Sequence, residues 1–138
     1  MNHPAPEFFK RELPAELLAA LQARFGDRLS TTRAMREHHG RDESSYDPML
    51  PDAVVFAQTV DDVSAAVALC NQYRYPVIAY GTGTSLEGHI LAVQGGLSID
   101  LSQMNRVVAV NPEDLTVTVQ PGVTRKQLNA EIKDTGLF

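Results

Sequence analysis

Cysteine is nearly absent: Cys70 stands alone among 138 residues, which excludes an intramolecular disulfide and any multi-cysteine metal site. A single thiol fits a reducing compartment. Apolar runs are short. None approaches the roughly 18 consecutive apolar residues of a membrane span, and Met1 to Arg11 contains no apolar signal-peptide core. The expected location is therefore the cytoplasm. Clustered Lys and Arg are also missing, and the net charge is −5, so broad binding to a phosphate backbone is excluded and nucleic acid is not an expected partner. Aromatic residues make up only 7%, but 43% hydrophobic and 21% charged residues are the composition of one globular domain with a packed core. No internal repeat or low-complexity tract interrupts it.

Helical spacing of Leu17, Leu18, Leu21 and Phe25, between Pro14 and Gly26, predicts a first helix. From Ser30 to Pro51 no period is sustained, and a surface-wrapping connection is expected. Ala53 to Ala57 is a β-rich run. Thr59, Asp61 and Asp62 then open a helix whose apolar face carries Val63, Ala66, Val67, Cys70 and Tyr73, and Val77 to Tyr80 follows as a buried strand. This strand, helix, strand unit predicts two neighbouring parallel strands joined by a right-handed crossover. Further strands are expected at Leu97 to Leu101, Val107 to Val110 and Leu115 to Gln120, the last two forming a hairpin around Asn111 to Asp114. Thr124 and Gln127 make a capping box for a final helix ended by Gly136.

The segment Tyr80, Gly81, Thr82, Gly83, Thr84, Ser85, Leu86, Glu87, Gly88, His89 carries the chemistry. Glycines bring backbone N–H groups close to an oxyanion, and three adjacent hydroxyls add donors, so such a loop can cradle a pyrophosphate. The alternative is a plain tight turn. A Rossmann site would need glycine where Leu86 stands and a helix directly after the loop, although Asp100 has the spacing of its ribose-binding acid. An ATP-type P-loop fits less well, because His89 and Ile90 occupy its Lys and Ser or Thr positions. Among the other polar residues, His38 and His39 are expected to be solvated, His89 to be a surface or turn histidine with no neighbour fixing its tautomer, and Cys70 to be a small core residue.

Several separated motifs carry a resemblance. The runs Pro51 to Val55 and Pro76 to Gly88 resemble the FAD-binding domain of the para-cresol methylhydroxylase (PCMH) or vanillyl-alcohol oxidase type. Ala92 to Gly96 and Gln120 to Asn129 are most similar to FAD-dependent D-lactate dehydrogenases and the related glycolate oxidase subunit. The resemblance implies an α/β (α+β) fold: the N-terminal subdomain of a PCMH-type domain, a small mixed sheet with flanking helices. Residues 1–45 would form an N-terminal helix and connecting segment, and 46–138 the first half of the FAD-binding domain, with the second half and a substrate domain following. It further implies that Gly81, Thr82, Gly83, Thr84 and Ser85 hold the FAD pyrophosphate through their N–H groups, that Gly88 belongs to the same cofactor site, and that Pro121 and Gly122 lie along the cofactor. FAD is expected to be non-covalent, because distant relatives that attach it through histidine place that residue after paired glycines, whereas here Glu87 precedes Gly88.

The parent reaction implied is oxidation of a small D-2-hydroxy acid, with no catalytic residue or metal ligand in this chain. The chain alone is expected to fold, to be inactive, and to self-associate through an apolar surface. The contrasting function is a stand-alone nucleotide-binding or regulatory module.

Overall fold

The computed structural model describes residues 9–138; Met1 to Glu7 and Phe8, which open the expected N-terminal segment, lie outside them. Helix α1 spans Ala15–Phe25, with Leu17, Leu21 and Phe25 buried at helical spacing and Gly26 closing it at φ 53°. Helix α3, Val60–Gln72, starts on Thr59, whose hydroxyl accepts the Asp62 N–H at 3.1 Å. The Asp62 carboxylate accepts the Gln58 N–H in return and pairs with Arg28 at 2.6 Å and Arg24 at 3.0 Å. The Arg28 hydrogen bond in particular holds that carboxyl far below the usual carboxylate range. One face of α3 is apolar as expected, through Ala66 and Cys70, but Val67 and Tyr73 lie largely exposed. Burial raises the Cys70 thiol to about 11, so it is an inert core group.

Four strands form the main sheet in the order β1-β2-β4-β3, where β1 is Leu29–Ser30, β2 Ala53–Phe56, β3 Val77–Tyr80 and β4 Leu97–Asp100. β2 and β3 both run parallel to β4, while β1 pairs antiparallel with β2. The expected neighbouring of β2 and β3 is therefore corrected, since β4 lies between them. Burial decides this: all four residues of β4 are buried, whereas Val77 and Ala79 of β3 are exposed. A strand needing cover on both faces takes the centre, and β3 is an edge strand rather than a buried one. A second correction concerns residues 30–51, where β1 and a short helix α2, Arg33–His39, replace the unstructured connection.

The two faces of β4 meet different surroundings. Leu97 and Ile99 join Leu17, Leu21, Phe25, Val55, Ala66 and Cys70 in the core beneath α1 and α3. Ser98 and Asp100 alternate to the other face. The Ser98 hydroxyl is buried and has no hydrogen-bond partner. An unpaired buried hydroxyl costs about 1–3 kcal/mol, and Ser98→Ala removes it for one atom of packing. The expected result is an unchanged or higher thermal midpoint; a loss above ~1 kcal/mol would reveal a partner for this hydroxyl.

Strands β5, Val107–Asn111, and β6, Thr116–Val119, form the expected antiparallel hairpin, separate from the main sheet. Helix α4, Arg125–Ile132, is capped by the Thr124 hydroxyl, which accepts the Gln127 N–H at 3.2 Å. The expected capping box is half formed. The Gln127 amide instead donates to the Asn105 carbonyl at 2.7 Å, tying α4 to the segment before β5.

Candidate functional site: the loop after strand β3

Parallel pairing puts Tyr80 opposite Asp100, so residues 81–89 emerge at the carboxyl ends of β3 and β4. Open parallel sheets bind ligands at that edge. No helix occurs between Tyr80 and Leu97, which removes the Rossmann alternative, and Asp100 is buried rather than available to a ribose. The N–H groups of Gly81, Thr82, Gly83, Thr84 and Ser85 make no hydrogen bond to any described residue. Five consecutive donors are thus free at one loop. Gly83 turns it at φ 72°, and a Cβ there would stand 2.5 Å from the Tyr80 hydroxyl, so any side chain meets both strain and a collision. The Thr82 and Thr84 hydroxyls sit 3.0 Å apart, adding polar atoms to the rim.

The loop is anchored from residues 42–46. The Glu43 N–H donates to the Ser85 carbonyl at 3.0 Å, and the Gly88 N–H donates to Asp42 Oδ2 at 3.0 Å. Ser44 donates to Asp42 Oδ1 from its hydroxyl, and this bond, aided by the Ser44 and Gly88 amides, holds the Asp42 carboxyl below its ordinary value. Gly88 therefore sits apart from Gly81 to Ser85: its donor is already engaged. Gly122 also has a structural task. The Gly122 N–H donates to the Met104 carbonyl at 2.8 Å, and a Cβ at this position would collide with the Leu101 carbonyl.

Behind the loop lies a buried polar cluster that corrects the expectation for His39. His38 is exposed, but His39 is 1% exposed, with Nε2 2.8 Å from Asp100 Oδ2 and Nδ1 2.9 Å from the Met35 carbonyl. A carbonyl only accepts, so Nδ1 carries a proton. Burial opposes ionisation of Asp100, but hydrogen bonds from His39 and Ser102 outweigh it and lower its pKa. Tyr80 stacks on His39 at 4.1 Å between ring centroids, and burial followed by the Asp100 charge raises its phenol pKa. Its hydroxyl lies 3.4 Å from His38 Nε2. The buried pair thus supports the residue on which Gly83 rests. The only sequence sign of it was Met35 and His39 at i, i+4 after Thr32, too short a pattern to read as a helix.

Loop and rim enclose a groove of about 290 Å³ lined by Ala79, Gly81 to Ser85, His89 and Ile90. Whole-ligand pockets occupy roughly 300–1,000 Å³, so this groove suits a phosphate-sized part of a larger ligand. Residues 51–138 match the profile of the FAD binding domain family. The chain belongs to this family. FAD is the family's cofactor, and the free donors, glycine turn and hydroxyls of the loop fit its pyrophosphate.

Among relatives, the probable mitochondrial D-lactate dehydrogenase of Danio rerio is 51% identical over 110 residues, covering 80% of this chain and 22% of the relative. Glycolate oxidase subunit GlcD of Bacillus subtilis is 35% identical over 104 residues, covering 72% and 22%. Among solved structures of this domain, p-cresol methylhydroxylase with substrate bound superposes with a TM-score of 0.77 at 27% identity, covering 88% of this chain and 25% of that one. The chain spans about a quarter or less of the length of these three proteins. Among the described residues no helix is long and apolar enough to cross a membrane, and no His, Cys, Asp or Glu cluster is suited to a metal ion.

Proposed function

We propose that this chain is the first part of the FAD-binding domain of a flavoprotein that oxidises a D-2-hydroxy acid such as D-lactate or glycolate. The observation that carries the reading is the row of five unpartnered N–H groups from Gly81 to Ser85, set on a glycine turn at the carboxyl edge of a parallel sheet. In this reading those residues hold the FAD pyrophosphate, with Gly88 closing the same loop, and Pro121 and Gly122 lie along the cofactor. FAD supplies the acceptor for the hydride of the substrate carbon. The chain's own contribution is to bind and orient the phosphates and to hold the loop rigid through Tyr80, His39 and Asp42. No side chain here is assigned as a catalytic base. Attachment is non-covalent in this proposal, supported by the absence of a paired-glycine motif before His89.

A cytoplasmic compartment is part of the proposal, although several relatives are mitochondrial by name. Self-association of the chain alone is a further part of it. A concavity of about 360 Å³ is lined by Val110, Leu115, Val117, Leu128, Ile132 and Phe138, with Leu115 74% exposed. That apolar surface favours cover by protein.

The groove accommodates only part of FAD, and each 1.4 kcal/mol of missing contact weakens binding about tenfold. The isolated chain is expected to show no saturable submicromolar FAD binding by flavin fluorescence and no D-lactate-dependent dye reduction. The full-length protein is expected to copurify with FAD that denaturation releases. Tight binding by the chain alone would favour a self-sufficient nucleotide module, and a colourless, active full-length protein would overturn the reading.

A further inference from the structure

We propose that residues 40–49 form a clasp that closes on the cofactor loop through Asp42, which makes Asp42 a positioning residue for FAD. This rests on the FAD reading above and extends it to a segment outside the phosphate groove, since none of residues 40–49 lines that groove. The clasp is a loop with joined ends. The Met49 N–H donates to the Gly40 carbonyl at 2.8 Å, and Gly40 packs so closely that a Cβ there would stand 2.8 Å from Leu50 Cα. Between these ends the chain forms no helix or strand, and residues 45–49 are all exposed. A segment with so few enclosed contacts opens easily unless something else holds it.

What holds it is the loop after β3. Among the described residues, every hydrogen bond that residues 41–48 make outside their own segment ends on Ser85 or Gly88: the Glu43 N–H reaches the Ser85 carbonyl, and the Gly88 N–H and the Ser85 hydroxyl both donate to Asp42. The same carboxylate accepts the Ser44 N–H at 3.1 Å and the Ser44 hydroxyl, so one side chain joins the turn of the clasp to both ends of residues 85–88. Tyr46 completes the contact. Gly88 turns at φ 73°, and a Cβ on it would lie 2.7 Å from Tyr46 Cδ2, so the Tyr46 ring covers that turn. Ser85 ends the row of five free donors, and the clasp therefore fixes where that row ends. Segments that share their hydrogen bonds are coupled reciprocally: a closed clasp favours the binding shape of the loop, and a ligand on the loop favours the closed clasp. If the loop without its clasp kept that shape about a tenth of the time, apparent affinity would fall about tenfold.

The test measures amide hydrogen exchange of the full-length protein with and without FAD, beside FAD affinity read by flavin fluorescence. In wild type, FAD should slow exchange in residues 41–49 about tenfold or more, together with residues 81–88. Asp42→Ala should weaken FAD binding about tenfold and leave residues 41–49 exchanging fast whether FAD is present or absent, while α3 exchanges as it does in wild type. A brace with no link to the cofactor would not make exchange at 41–49 respond to FAD. Protection confined to residues 81–85 in wild type, or wild-type affinity in Asp42→Ala, would overturn the proposal. So would faster exchange throughout α3 in the variant, which would mark Asp42 as a prop of the whole fold. If wild-type apoprotein takes up no FAD, the underlying reading fails and the clasp with it; if wild type binds FAD without protecting residues 41–49, only the clasp fails.

Discussion

Asp100→Ala is expected to destabilise the chain by about 1–3 kcal/mol, the cost of leaving buried polar groups without their partner. The variant leaves the His39 imidazole and the Ser102 N–H without their acceptor in a site where both acid and base are almost wholly enclosed. Domains of this size have about 5–15 kcal/mol in total, so a large share of the stability would be lost. Replacing both members, His39→Leu with Asp100→Val, should cost less than the two single changes added together, since neither then leaves a buried charge behind. The pair also sets a pH dependence. Asp100 has a folded pKa below its unfolded value of about 3.9, so its contribution is present above that value and is lost as pH falls through the folded one. The acid limb of a melting-temperature profile should therefore be shallower for the double variant. Equal acid sensitivity, or additive losses, would show that His39 and Asp100 are not coupled.

Gly83→Val should weaken FAD binding by the full-length protein about a hundredfold or more. A β-branched residue at φ 72° is strained, and its Cβ would meet the Tyr80 hydroxyl, which His38 and the His39 ring hold from below. The loop must shift, and displacing two donors from a charged phosphate forfeits about 1.5–3 kcal/mol apiece. Gly81→Ala provides the contrast for folding. No atom lies within 4 Å of a Cβ built there, so the FAD-free form should melt as wild type does, whereas Gly83→Val should melt lower. Isothermal titration and thermal melts of the apoproteins measure both effects. Wild-type affinity in Gly83→Val would remove this turn from the binding site.

Local signals in the sequence were sufficient wherever a residue's conformation depends on its near neighbours. Pro14, Gly26 and the Leu17, Leu21, Phe25 spacing mark α1, Thr59 with Asp62 marks the start of α3, and Asn111 to Asp114 marks the hairpin turn. The glycine loop was legible for the same reason, since N–H groups beside Gly81 and Gly83 after a strand are a local property. Strand order was not. Whether β3 or β4 lies beside β2 depends on which strand must be covered on both faces, a comparison among segments some 40 residues apart. The burial of His39 was equally hidden, because its partner Asp100 lies 61 residues away and a seven-residue helix shows scarcely two turns of pattern. The sequence by itself determined most of the elements, the glycine loop and the family resemblance; the tertiary structure decided β1 and α2, strand order, the buried His39–Asp100 pair beneath the loop and which donors remain free, because desolvation and pairing energies exist only once distant groups are brought together.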